Sequence, residues 1–166
     1  MIRPLKDRIF YQPVGRLKCG DLWAPGSNNW CGLLKAKGRG LHVDALQVGD
    51  WIWLQPQTHY LEMFSAEGGL VALGSAVAGY WRAGHVAAPP GRVALRPDPD
   101  VDALHKRDSG LILLRKSVPF PRTGTLSTGE RVLWDTQATP QLRIQVGDEH
   151  WIFVPEGYVL GTIEQE

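Results

Sequence analysis

Apolar and polar residues alternate along much of the chain with the two-residue period of a β-strand. The pattern is clearest over residues 141–146, where apolar and polar side chains take opposite faces of an extended segment. The 19 glycines and 12 prolines interrupt the chain every few residues, which favours short strands and turns over helices. Residues 100–105 could make one helical turn. Further strands are predicted over residues 5–11, 32–36, 50–55, 70–73, 92–95, 111–114, 122–126, 131–134, 151–154 and 158–163.

Part of the first half of the chain has an echo in the second half. Leu46–Asp50 is followed by Trp51–Leu54, and Ile144–Asp148 is followed closely by Trp151–Val154. The opening Ile2-Arg3-Pro4 is similarly echoed by Leu95-Arg96-Pro97. Because an internal repeat sets the whole architecture, the chain is interpreted as two related modules.

The two tryptophan-bearing segments are apolar at every position. A strand with one face in water would carry a polar residue at every second position, so we expect both faces to be covered. One face belongs to the module interior, and the other meets the sister module or a neighbouring chain. An exposed aromatic face is the alternative, but soluble monomers rarely tolerate such a patch. The predicted interface residues are Trp51, Trp53, Trp151 and Phe153.

The segment that joins the modules is rich in small residues and contains Pro89-Pro90. Such a segment neither packs a core nor continues a central strand. The predicted domains are therefore residues 1–84 and 92–166, with a linker at 85–91. At 166 residues, the chain is long enough for two small domains that lean on one another or on neighbouring subunits.

Charge and apolar content exclude several classes of partner. The formal net charge is +1, with 18 basic and 17 acidic residues and no basic block, so nucleic acid is not expected as a partner. No apolar stretch is long enough for a membrane span, and the charged start lacks a signal-peptide core. We expect a cytoplasmic protein.

The chain carries no recognisable catalytic or metal-binding motif. Cys19 and Cys31 form neither a CxxC pair nor a disulfide framework, and the five histidines are scattered. Nucleophile elbows, metalloprotease helices and phosphate loops are not found. The basic turn at residues 37–40 could contact a phosphate, although a solvated hairpin is the simpler interpretation. We therefore predict no enzyme activity, no metal and no cofactor.

Several segments of the first module resemble the GroES-like co-chaperonin family. Ile2–Arg8 is similar to the opening strand of that family, Gln47–Asp50 to its Val-Gly-Asp turn, and Leu70–Tyr80 to its closing strands. In the second module, Ser109–Leu113 resembles the end of the mobile loop by which these proteins bind a chaperonin ring, and Arg122–Leu126 resembles the strand that follows.

The resemblance implies an all-β fold of two tandem GroES-like small β-barrels with little or no helix. The second barrel would be incomplete, because its closing strands are shortened to residues 159–163. It also implies a homo-oligomeric ring that binds a chaperonin ring through apolar loop tips and has no nucleotide site of its own. The implied partner-binding residues are Leu111, Ile112, Leu113, Leu22 and Trp23. By composition alone, residues 111–114 could instead form a buried strand.

Some positions depart from the family pattern and support a second interpretation. The first apolar triplet reads Asp21-Leu22-Trp23, and burying an unpaired carboxylate is costly. Both loops look short for the family, and the tryptophans suit permanent interfaces. The second interpretation is a structural protein built from the same barrel, such as a phage capsid decoration (cement) protein in a virion. A third is a sugar- or small-ligand-binding barrel that uses Trp51, Trp53 and Trp81 as stacking platforms.

Overall fold

The computed structural model describes residues 2–13, 18–19, 22–23, 31–55, 64–99, 104–106, 112–114, 121–136 and 142–164. These residues form β-strands and two 3₁₀ turns, Gly74–Ala76 and Glu156–Tyr158, and contain no α-helix. The all-β prediction is confirmed. The strands are β1 (Arg8–Pro13), β2 (Lys18–Cys19), β3 (Leu22–Trp23), β4 (Cys31–Lys37), β5 (Trp51–Leu54), β6 (Phe64–Ala66), β7 (Gly69–Leu73), β8 (Val77–Arg82), β9 (His85–Ala87), β10 (Arg92–Pro97), β11 (Leu104–Lys106), β12 (Ile112–Leu114), β13 (Arg122–Leu126), β14 (Arg131–Trp134), β15 (Leu142–Val146), β16 (Glu149–Pro155) and β17 (Val159–Thr162).

Two antiparallel sheets contain most of the strands, and they have the same order. The first sheet has seven strands in the order β6-β7-β1-β4-β5-β8-β9, and the second has six in the order β15-β16-β10-β13-β14-β17. Each strand of the second sheet therefore has a counterpart in the first, and only β9 has none among the described residues. The two 3₁₀ turns also correspond, since one joins β7 to β8 and the other joins β16 to β17.

The correspondence extends to single residues. Trp53 of β5 lies opposite Gly79 of β8, with a bulge at the next position. Leu133 of β14 lies opposite Gly161 of β17, again with a bulge at the next position. Because register and bulge position both recur, the modules are copies of one fold.

The identical letters noticed in the sequence do not mark equivalent positions. Trp51–Leu54 is β5, which lies between β4 and β8, whereas Trp151–Val154 lies in β16, between β15 and β10. The counterpart of β5 is β14. Likewise, Pro97 pairs with Gly124 as Pro13 pairs with Gly32, so Arg96-Pro97 corresponds to the end of β1. The pairing of these echoes was wrong, although the duplication they suggested is present.

The true counterpart of the Gly49-Asp50 turn is Gly129-Glu130. Gly49 donates its N–H to the carbonyl of Leu34, and Gly129 donates to that of Leu126. Leu34 and Leu126 occupy equivalent places, because Leu34 pairs with Tyr11 and Leu126 with Leu95. The φ angles of the two glycines are 98° and 95°, a left-handed conformation that glycine adopts without strain.

Each sheet curves around its own core. In the first sheet β7 and β8 are separated by three strands, yet the turn Gly74–Ala76 joins them directly. Ala72 from β7 and Val77 from β8 consequently lie in one buried cluster with Tyr11, Leu34 and Ile52. The second core is built from equivalent positions: Leu95, Val132, Trp134, Ile152 and Val154. Neither sheet is closed by hydrogen bonds between its edge strands in the described part of the chain.

Two local expectations need correction. Residues 85–87 are not linker, because His85–Ala87 forms β9 and pairs with β8; residues 88–91 join the sheets. Within the segment expected to make a helical turn, Leu104–Lys106 is a strand that pairs with β12, and residues 100–103 lie outside the described part.

Candidate partner-binding site

The two predicted loop tips occupy equivalent places in the duplicated fold. The hairpin β2–β3 is inserted between β1 and β4, and the hairpin β11–β12 is inserted between β10 and β13. Each hairpin forms a two-stranded sheet of its own, and β2 lies close to β15 of the second main sheet. Leu22 and Trp23 form β3, and Ile112 and Leu113 belong to β12.

The backbone pairing places each tip in the returning strand of its hairpin. Leu22 lies opposite Cys19, and Leu113 lies opposite His105. Leu111 lies outside the described residues. The alternative prediction was a buried strand over residues 111–114. Ile112–Leu114 is a strand, but it pairs with β11 and does not belong to the six-stranded sheet.

The predicted interface residues meet in an aromatic seam between the two sheets. The seam is the buried cluster of Trp53, Ala78, Val86, Ala94, Ile144, Trp151 and Phe153, with Trp51, Cys31, Ala88, Leu142 and Val146 packed against it. The ring centroids of Trp53 and Phe153 are 5.8 Å apart and tilted by 32°, a favourable aromatic arrangement. The second sheet thus covers Trp53 on the outer face of the first sheet, whereas Trp81 on β8 stays exposed.

The seam depends on Gly79, which no local sequence pattern marks. A Cβ atom at Gly79 would lie 2.0 Å from one ring atom of Phe153 and 2.2 Å from another. No other residue fits without moving that ring, because atoms in van der Waals contact stand well over 3 Å apart. The equivalent Gly161 has nothing within 4 Å of such a Cβ.

A polar rim closes one side of the seam. The Trp151 indole N–H donates to Glu149 Oε2 at 3.2 Å, and Arg96 forms an ion pair with Glu149. The Arg96 guanidinium also stands 5.9 Å from the centroid of the Trp151 ring, within cation–π range. These contacts satisfy the polar atom of an otherwise buried side chain.

The sugar-binding hypothesis requires three exposed rings in one groove, and the structure contradicts it. Trp53 is buried in the seam, while Trp81 is exposed on β8. Trp51 lies opposite Trp81 across the strands, but it packs against the seam. No common stacking platform is formed by these rings.

The Asp of the first Gly-Asp turn is a structural anchor. Asp50 is only 2% exposed, and it accepts hydrogen bonds from Arg82 Nε at 2.7 Å, Arg82 Nη2 at 2.6 Å and the Gln47 N–H at 2.7 Å. Arg82 Nη2 also donates to the Ala45 carbonyl. The hydrogen bonds from Arg82 to Asp50 raise the pKa of the Arg82 guanidinium. The pair ties the long β4–β5 connection to β8.

The second module uses a different polar anchor. Asp98, just after β10, accepts a hydrogen bond from Thr123 Oγ1 at 2.5 Å and pairs with Arg131 Nη2 at 2.5 Å. The Thr123 hydrogen bond, followed by the hydrogen bond and charge of Arg131, lowers the pKa of Asp98 against the opposing effect of burial. Arg131 is equivalent to Trp51, since Thr125 and Leu33 are their paired partners. Arg131 therefore occupies, in the second sheet, the position that Trp51 occupies beside the seam in the first sheet.

The remaining candidate groups hold local structure. Lys37 Nζ donates to the carbonyl oxygens of Val43 and Asp44, so this lysine of the basic turn fastens the β4–β5 connection. His42 pairs with Asp7 through its side chain and its backbone N–H. In the described residues, no three His, Cys, Asp or Glu side chains form a group able to hold a metal ion. No helix in that part of the chain is long and apolar enough to cross a membrane.

Comparison of the sequence with family models and with curated proteins finds no match. Any function proposed for the site therefore depends on the geometry of its residues. Arg82, Gly79 and Arg131 were not expected from the sequence. A comparison of residue classes could have found Arg131, because Gly-Asp-Trp at 49–51 corresponds to Gly-Glu-Arg at 129–131. Gly79 and Arg82 act through residues distant in sequence, and no local pattern marks them.

Proposed function

We propose that this chain is a non-enzymatic, GroES-like binding protein, a chaperonin cofactor or a derivative of one, that binds its protein partner through the two inserted hairpins. The observation that carries the proposal is their equivalence. Two apolar segments, Leu22-Trp23 and Ile112–Leu114, emerge at the same point of two copies of one fold. Duplicated binding elements on one chain suit a partner that offers repeated sites, such as a chaperonin ring.

The energetics favour binding through several tips together. Burying three side chains of the size of Leu and Ile contributes on the order of 4–9 kcal/mol before costs. Ordering a loop costs about 1–2 kcal/mol per residue, so a single tip binds weakly. The seam joins the two sheets through buried contacts, so binding of one hairpin raises the effective concentration of the other.

Pull-down with a purified chaperonin and ATP tests the proposal. One variant carries Leu22→Asp with Trp23→Asp, a second carries Ile112→Asp with Leu113→Asp, and a third carries all four substitutions. We expect each double variant to weaken capture by about tenfold or more, since buried apolar anchors dominate interfaces, and the quadruple variant to abolish it.

The control for an added carboxylate is Val48→Asp, which places one on an exposed side chain of the β4–β5 connection. It should bind as the unmodified chain does. Failure of the unmodified chain to bind, or retention of binding by the quadruple variant, would refute chaperonin binding through these hairpins.

A structural role in a virion, such as that of a capsid decoration protein, is the second candidate function. The observation that favours it is the exposure of large apolar side chains on both sheets, including Phe64 and Leu160, because permanent assemblies cover such side chains. This candidate predicts that the chain co-sediments with capsids even when all four hairpin substitutions are present. Loss of co-sedimentation in that variant would count against it.

A further inference from the structure

The first hairpin (β2–β3) and the second hairpin (β11–β12) leave their sheets at equivalent points, but the surroundings of these points differ. The first hairpin returns to its sheet at Cys31, which precedes Gly32, and the register makes Thr123, which precedes Gly124, the counterpart of Cys31. Cys31 packs against the apolar seam, whereas Thr123 donates a hydrogen bond to Asp98. The first hairpin therefore emerges where the two sheets meet, and the second hairpin emerges from a polar base.

The first hairpin approaches an edge of the second module. Its strand β2 lies close to β15, and β15 is an edge strand of the six-stranded sheet in the described part of the chain. In the same part of the chain, neither β11 nor β12 makes a comparable approach to a main sheet. The unpaired edge of a sheet presents N–H and C=O groups that another segment can occupy. The two hairpins therefore differ in their neighbours, although they are equivalent in the fold.

The strand that approaches β15 belongs to the tip of the hairpin. Cys19 of β2 lies opposite Leu22 of β3, and only Gly20 and Asp21 separate them in the sequence. Residues that face one another in an antiparallel pair have Cα atoms about 4.5–5.5 Å apart. Leu22, a predicted partner-binding residue, therefore lies in the strand next to the one that approaches the second module.

The edge that the hairpin approaches is continuous with the seam. Ile144 of β15 is buried in the seam, and Leu142 and Val146 of the same strand pack against it. The seam thus extends from Cys31, at the base of the first hairpin, to the strand that the tip of this hairpin approaches. The segment placed to cover the β15 edge is therefore the first hairpin of the same chain.

We propose that the first hairpin is docked on β15 in the free chain and must leave it to bind the partner, whereas the second hairpin is available at once. This inference rests on the proposed function, since it gives the two binding elements an order in which the second hairpin binds first. A partner that encloses Leu22 and Trp23 needs the space beside β2 that β15 occupies. The apparent affinity of the first hairpin is then its intrinsic affinity multiplied by the fraction of chains in which it is undocked.

Disulfide trapping in the free chain tests the docked state without any partner. Cys31→Ala leaves Cys19 of β2 as the only native thiol, and Arg143→Cys or Gln145→Cys then places a second thiol on β15. A disulfide requires Cα atoms within about 7 Å of one another. We expect at least one of these two variants to form the intramolecular disulfide under mild oxidation, which non-reducing electrophoresis and mass spectrometry detect.

The matched control for trapping is Ser65→Cys in the same background. Ser65 pairs with Leu70 as Arg143 pairs with Ile152, so the control thiol takes the equivalent position on β6, the edge strand of the first sheet. It should bond to Cys19 about tenfold more slowly or not at all, because the two thiols do not come within reach. Circular dichroism of each variant verifies that the fold is kept. If neither β15 variant is trapped faster than this control, the hairpin is not docked and the proposal is overturned.

The trapped chain then tests whether the hairpin must leave β15. In the pull-down with a purified chaperonin and ATP, trapping should weaken capture by about tenfold, as we expect for substitution of Leu22 and Trp23, and a reductant should restore capture. A trapped chain that binds as well as the reduced chain would overturn the requirement for release. If the disulfide forms but the reduced chain binds no chaperonin, the proposed function fails while the docked state stands.

Discussion

The two modules share strand order and register. They differ in the segment that precedes β5 in the first module and β14 in the second, and in the contacts that fix this segment. In the first module, residues 38–50 form a long connection that supplies Val43 and Leu46 to the core, and buried Asp50 fixes it to Arg82. In the second, a tight turn at residues 127–130 replaces that connection, and Glu130 is exposed. The fold is therefore set by the strands and the glycines, and the polar anchors have diverged.

The largest effect that separates the modules should come from removing the buried carboxylate. Asp50→Ala leaves the Gln47 N–H and Arg82 Nε without their acceptor, while Arg82 Nη2 keeps the Ala45 carbonyl. Losing one partner of a buried pair typically costs about 3–5 kcal/mol. Arg82 is partly open to water, which places the expected loss near the lower value. Urea denaturation measures the free energy of unfolding.

The matched change in the second module is Glu130→Ala, at the equivalent but exposed position. Surface substitutions of this kind change stability by about 0.5 kcal/mol or less. Equal destabilisation by Asp50→Ala and Glu130→Ala would mean that both modules depend on a carboxylate at this position, and that the polar anchors have not diverged.

The next effect concerns the paired glycines of β8 and β17. Gly79→Ala forces the Phe153 ring away from the seam, and overpacking of this kind costs about 1–3 kcal/mol. Gly161→Ala has open space around the new methyl group and should leave the free energy of unfolding almost unchanged. Equal destabilisation by the two substitutions would mean that the seam does not lie over Gly79.

The smallest effect is a pH dependence that arises from Asp98 in the second module. The pKa of Asp98 is lower in the folded chain than the value of about 3.9 that an unfolded chain has. Ionised Asp98 therefore stabilises the fold at all pH values above the unfolded value, and this contribution is lost as the pH falls through the folded pKa. Asp98→Asn should cost about 1 kcal/mol at neutral pH.

The control for that prediction is the acid limb of the stability curve. Below the folded pKa the two chains should be equally stable, because Asp98 is then protonated in both the folded and the unfolded states. A difference between wild type and Asp98→Asn that stayed constant from neutral to acid pH would show that the hydrogen bonds of Asp98 do not depend on its charge.

Alternation and turn residues predicted most of the main-sheet strands, since these signals are local. The pairing of repeated letters failed for a physical reason. Glycine with positive φ is needed in many turns, so Gly-Asp recurs at Gly49, in a connection between β4 and β5, and at Gly147, in the hairpin between β15 and β16. Identical residues in two segments therefore indicate the same type of turn, whereas the strand register shows which positions of the two sheets are equivalent.

The candidate site was predicted in part for a related reason. Trp53 and Phe153 were recognisable as interface residues, because an apolar strand on both faces needs two covers. Contacts between residues far apart in sequence decide which surface covers these two side chains. Contacts of the same kind decide the roles of Gly79 and Arg82. The resemblance already implied that the two loop tips correspond, and the strand order places the two inserted hairpins at equivalent points of the two sheets.

Cross-strand proton contacts in a nuclear Overhauser spectrum of the labelled chain measure whether the strand register of the first sheet is repeated in the second. The account predicts that Leu133 contacts Gly161 just as Trp53 contacts Gly79, and that the bulge follows each pair. Contacts that place β17 beside any strand other than β14 would contradict the duplication.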